Sequence, residues 1–143
     1  MDTEFIKTLG FNTNETRNNL FISLDTIPSP DQIRGLLDHL TVNEELFFWN
    51  YYHRTISDPG SYVTAYVEDG KAVMMEGNHG WSGSYHSVSI DDLVELIIRN
   101  WDKDWDSRRE FENAVAIRKT IRPADVVAKM QKDLPVYKSP FGG

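Results

Sequence analysis

YVTAYVEDGKAVMME, residues 62 to 76, decides the fold. Tyr62 to Val67 and Lys71 to Glu76 are two β-rich runs, and Glu68-Asp69-Gly70 stands between them. An Asp-Gly pair supplies the positive φ angles of a tight hairpin, so two antiparallel strands are expected here. Tyr62, Thr64 and Tyr66 fall on one strand face, and Val63, Ala65 and Val67 on the other. Downstream, Gly77-Asn78-His79-Gly80 forms a second turn, and Trp81 to Val88 reads as a further strand. Ser89 then caps a helix with Asp91 and Asp92 in its first turn, where the helix dipole favours anions. Ile90, Leu93, Ile97 and Trp101 form its apolar stripe, widened by Val94 and Ile98, so Trp101 is expected to face the core.

Upstream, Leu46 to Ile56 (LFFWNYYHRTI) is dense in aromatic residues and reads as a strand, although Asn43-Glu44-Glu45 before it suits a helix start equally well. Ser29, Pro30 and Asp31 mark a helix N-terminus, and Ile33, Leu36, Leu37 and Leu40 follow at helical spacing. Leu20 to Asp25 reads as a strand, and the polar residues 10–19 (GFNTNETRNN) as a loop. Towards the end of the chain, Ser107 and Glu110 fit a capping box, which predicts a helix over Arg108 to Lys119. Pro123 opens a last helix with Val126, Val127, Met130 and Leu134 buried. Residues 136–143 read as a flexible tail. The sum is a single α+β domain over 1–143, with a mainly antiparallel sheet of three to five strands and packed helices.

Composition narrows the function classes. The 143 residues are 40% hydrophobic and 26% charged, as expected of a folded domain with its own core. The chain has no cysteine, which removes disulfides, thiolate metal sites and cysteine nucleophiles. No apolar run is long enough to span a bilayer, and the N-terminal stretch lacks the basic start and apolar core of a secretion signal, so a cytoplasmic protein without a membrane partner is expected. Net charge is −7 and uneven: residues 1–112 hold 20 acidic and 9 basic side chains, whereas 113–143 hold 2 and 6. An acidic body disfavours direct contact with nucleic acid, whose phosphates it repels, but permits binding to another protein that itself binds nucleic acid. Acidity that merely keeps the chain dissolved is the plain alternative.

Three patterns invite catalytic or metal readings. His79 and His86, with Glu76 or Asn78, suggest a metal, but the two imidazoles point to opposite faces of a regular strand and no further ligand has motif spacing, so neither metal nor cofactor is expected. Gly80-Trp81-Ser82-Gly83-Ser84 approaches a nucleophile elbow, yet Ser84 stands where that motif needs glycine. Asp102, Asp104 and Asp106 alternate as in a calcium loop, without the bend glycine or the closing glutamate in register. A small-ligand or enzyme reading would centre on His79, Trp81, Ser82, Ser84 and His86. The aromatic set Trp49, Tyr51, Tyr52, Tyr62 and Tyr66 is either sheet core or a face buried between subunits. Asp91, Asp92, Glu95, Asp102, Asp104 and Asp106, with Trp105 as anchor, form the alternative site: an acidic, aromatic surface that steers and holds a basic protein.

The succession of that hairpin, GNHGWSGSYHS (77–87) and VSIDDLVELIIRNW (88–101) resembles small bacterial immunity proteins of contact-dependent and polymorphic toxin systems, over Tyr62 to Trp101. Val63 to Phe111 also resembles some phage anti-CRISPR proteins. Both resemblances imply a compact acidic protein, monomer or homodimer, that is not an enzyme and fills the basic nucleic-acid-binding groove of a toxin or nuclease. No family site residue is carried over by either.

Overall fold

The computed structural model describes residues 3–17, 19–41, 43–50, 61–68, 70–77, 85–101, 114–119, 132 and 134–136, with backbone alone at 49, 50, 61, 62, 76, 77, 100 and 114. In chain order the elements are α1 (Thr3–Thr8), β1 (Asn12–Glu15), β2 (Asn19–Ser23), α2 (Pro30–Asp38), β3 (Glu44–Asn50), β4 (Ser61–Glu68), β5 (Lys71–Gly77), β6 (Tyr85–Val88), α3 (Ile90–Trp101) and β7 (Ala114–Lys119). The fold is α+β, and the seven strands form one sheet in the order β1-β2-β7-β3-β4-β5-β6. Every neighbouring pair is antiparallel.

The sheet is built out from the β4–β5 hairpin. Glu68 faces Lys71 across its end, and Gly70 takes φ +74°, the left-handed backbone that an Asp-Gly turn needs. Alternation then sorts the faces. Val63, Ala65 and Val67 of β4 join Met74 of β5, Leu46 and Phe48 of β3, Ile22 of β2 and Val115 and Ile117 of β7 in the core. The three helices contribute Ile6, Ile33, Leu36, Leu37, Leu93 and Ile97 to the same core, so they cover that face of the sheet.

Helix α2 starts where its sequence marks it. The Ser29 hydroxyl accepts the Gln32 N–H at 3.2 Å, and the Gln32 side chain accepts the Ser29 N–H at 2.9 Å, a closed capping box with Pro30 at the first helical position. The Gln32 amide also donates to Leu9 O at 2.8 Å, tying α2 to the end of α1.

Two strands exceed the sequence expectation of three to five. Residues 12–15, expected as loop, form β1, and 114–119, expected within a helix, form β7. Polar Asn12-Thr13-Asn14-Glu15 has no apolar alternation to announce a strand; it is one because its backbone pairs with β2 at the open edge of the sheet. In β7, Val115 and Ile117 are buried on the helix side and Ala116 on the other face, and both β2 and β3 pair with it. A strand bonded on both sides and buried on both faces loses the polar alternation that separates strand from helix by eye. At the other edge, Val136 makes an isolated parallel bridge to Ser87, whose N–H donates to Pro135 O at 3.0 Å. Of the helix expected from Pro123, residues 123–131 and 133 lie outside the described residues; Lys132 and Leu134 are not helical, and Leu134, expected buried, is half-buried, since its segment runs along β6 instead. Of the expected tail, Val136 is held in that bridge and 137–143 lie outside the described residues.

Candidate partner-binding surface

Helix α3 carries the described part of the acidic site. Ser89 caps it: its hydroxyl accepts the Asp92 N–H at 3.0 Å and its carbonyl the Leu93 N–H at 2.9 Å. Leu93, Val94, Leu96, Ile97 and Trp101 are buried, which fixes the helix rotation and leaves Asp91, Asp92 and Glu95 in water. Trp101 is only 3% exposed; its indole N–H donates to Leu24 O at 3.1 Å, and its ring lies 5.9 Å from that of Phe11. It is a core residue, as its place in the stripe predicts.

The acids differ in how far they are neutralised. Asp91 pairs with Arg34 of α2, an exposed ion pair that ties the outer faces of the two helices together. Glu95 pairs with Arg99 one turn later at 2.5 Å. Such surface pairs contribute about 0–1 kcal/mol, so they leave most of the carboxylate charge for a partner. Asp92 has no ion pair among the described residues. On α2, Asp31 and Asp38 are also exposed. The outer side of α2 and α3 thus presents five carboxylates against Arg34 and Arg99. The other expected partner residues, Asp102, Asp104, Trp105 and Asp106, lie outside the described residues.

Of the turn proposed for a small ligand, His79, Trp81, Ser82 and Ser84 also lie outside the described residues. His86 is on β6, opposite Met74 and on the same face as Val88, so it points towards the helix layer, with Nδ1 shielded from solvent. Among the described residues no three His, Asp or Glu side chains converge as a metal-binding group would.

A buried polar cluster on the opposite sheet face was not expected from the sequence. Glu45 of β3 is 5% exposed. One carboxylate oxygen accepts the Tyr66 hydroxyl from β4 at 2.8 Å, and the other accepts the Arg118 Nε–H from β7. The Arg118 guanidinium also lies over the Phe47 ring, 5.0 Å from its centre. By sequence alone Glu45 suits a helix start and Tyr66 belongs to a set of aromatics. The available signal was a pair of acids, Glu44-Glu45, opening an apolar strand; alternation sends them to opposite faces, and each demands a partner once buried. Thr64, one row along on the same face, is 1% exposed, and its hydroxyl has no hydrogen-bond partner among the described residues.

Burial, then the bond to Glu45, pushes the Tyr66 phenol well above the ordinary tyrosine value. A folded-state pKa above the unfolded one gives stability that is whole below pH ~10 and lost as pH rises beyond it. Between the two values the native chain holds one proton more than the unfolded chain, a slope of about −1.4 kcal/mol per pH unit. Urea unfolding between pH 9 and 11, at about half-unit steps, is expected to show a steeper loss for the wild type than for Tyr66→Phe. Parallel losses would mean that this phenol is not held neutral by the fold.

No helix among the described residues is long and apolar enough to cross a membrane. Comparison with protein-family models, with curated proteins and with solved structures finds no match.

Proposed function

We propose that this chain is a non-enzymatic, stoichiometric inhibitor that binds and neutralises a nucleic-acid-directed toxin or nuclease, as an immunity protein does. The same surface would serve a phage anti-defence inhibitor of the anti-CRISPR type; the difference lies in the target. The observation that carries the reading is the outer face of α3: Asp91, Asp92 and Glu95 stand in solvent on a helix whose other face is fixed in the core. Carboxylates held on a rigid element can occupy a groove shaped for phosphates without ordering themselves on binding. On this reading the protein works in the cytoplasm, as a monomer or homodimer, and needs no cofactor.

The test has two stages. The chain is used as bait in native bacterial lysate, washed at low and then high salt, and the retained protein is identified and purified. A nucleic-acid-binding target is expected whose affinity falls with salt, because exposed charges are screened within ~8–10 Å at physiological ionic strength. Asp92→Lys with Glu95→Lys is then expected to weaken binding by about 100-fold, roughly 1.4 kcal/mol for each tenfold step. Both side chains are exposed, and the circular dichroism spectrum checks the fold. Unchanged affinity in the doubly reversed variant rejects the acidic surface.

A further inference from the structure

A cleft of about 400 Å3 opens at one end of the sheet, where the β1–β2 turn, the last residues of β7 and the start of β3 meet. Its lining includes Arg17, Arg118 and Lys119, three cationic groups gathered in a chain of net charge −7. Arg118 is committed to Glu45 through Nε. Arg17 and Lys119 are exposed and make no ion pair among the described residues. Two carboxylates share the lining, Glu44 and Glu15. Glu44 is already engaged. It is 3% exposed, and although burial pushes its carboxyl up, hydrogen bonds donated to it, the Thr41 N–H at 3.0 Å among them, hold it below its ordinary value. Glu15 is exposed on β1.

The turn that carries Arg17 is pinned. Thr16 N–H donates to Asn19 O at 2.8 Å, and Asn19 N–H to the Thr16 hydroxyl at 3.3 Å. Lys119 is fixed at its backbone by pairing opposite Glu44. Arg17 and Lys119, without an ion pair among the described residues, therefore flank a cavity whose walls also offer hydroxyl and amide groups from Thr3, Thr16 and Asn19. Its volume is that of a small-molecule site, about 300–1,000 Å3. Two cations match the dianionic charge of a phosphate monoester, and charge-assisted hydrogen bonds are about twice as strong as neutral ones.

We infer that this cleft binds a phosphate group, held by Arg17 and Lys119, either as free phosphate or on a small hydroxylated ester. The inference stands apart from the acidic surface of α3 and does not need it. The full-length, isotopically labelled chain is titrated with inorganic phosphate, glycerol phosphate and, as the uncharged control, glycerol, while backbone amide resonances are followed at low ionic strength. Saturable shifts confined to the amides of 16–19 and 117–119 are expected for the phosphates and not for glycerol. Tighter binding of the ester would show that the hydroxylated body is also held; equal or weaker binding assigns the site to free phosphate. Arg17→Ala and Lys119→Ala are each expected to weaken binding about tenfold, equivalent to ~1.4 kcal/mol. Both positions are exposed, and unchanged resonances elsewhere verify the fold. Shifts that never saturate, that spread over the surface, or that survive both substitutions overturn the site.

Discussion

Trp101→Ala is expected to lower the free energy of unfolding by about 3–5 kcal/mol, the range for truncating a large buried aromatic. The indole is 3% exposed at the last residue of α3 and packs beside Phe11, so its loss opens a void between the helix layer and the first residues after α1. Its N–H also bonds Leu24 O at 3.1 Å, just past β2. Trp101→Phe keeps most of the volume and removes that donor, and should cost less, about 1–2 kcal/mol. Urea unfolding followed by far-ultraviolet circular dichroism measures both. A loss below about 1 kcal/mol for the alanine variant, the usual scale of a surface change, would mean that the indole does not join α3 to the core.

Arg118→Met should destabilise the protein by about 2–3 kcal/mol, because the Glu45 carboxylate is then buried with Tyr66 as its remaining partner from the cluster. Breaking a fully buried pair costs about 3–5 kcal/mol; the lower figure applies here because the Arg118 side chain is 43% exposed and water screens part of its charge. The methionine retains the apolar stem beside Phe47 and forfeits the cation–π contact, itself about 0.5–1 kcal/mol at an exposed site. Combining Arg118→Met with Glu45→Gln should recover part of the loss, since a neutral amide no longer needs the guanidinium. A double-mutant cycle is expected to give a coupling of about 1–2 kcal/mol. Strict additivity would mean that the two groups do not act as a pair.

The elements that could be read from sequence are those whose signal is local. Ser29-Pro30 and the Gln32 side chain close a cap within four residues. The stripe from Leu93 to Trp101 needs only helical geometry, and Glu68-Asp69-Gly70 only a turn. What could not be read depends on distant partners. β1 is a strand because β2 lies beside it, and β7 because β2 and β3 flank it; in each case pairing overrides weak local preference. The capping pattern at Ser107 and Glu110 precedes β7 in sequence and predicts a helix where Ala114–Lys119 is a strand. The exposure of Asp91, Asp92 and Glu95 was legible, since amphipathicity alone puts them outside. Their pairing with Arg34 and Arg99 differs in kind: Arg99 sits four residues from Glu95, whereas Arg34 is 57 residues from Asp91 and meets it only through tertiary packing.

The position of β7 sets the order in which the protein can be completed. It lies between β2 and β3, so until Ala114–Lys119 has been synthesised β2 has β1 on one side and a bare edge on the other, and β3 likewise shows β4 on one side only. Those two bare edges carry Leu20, Ile22, Leu46 and Phe48, and a nascent chain on the ribosome would present them together. Exposed apolar edges invite pairing with other chains. The two halves of the sheet, β1-β2 and β3-β4-β5-β6, are therefore joined only through Ala114–Lys119, the last of these strands to be synthesised.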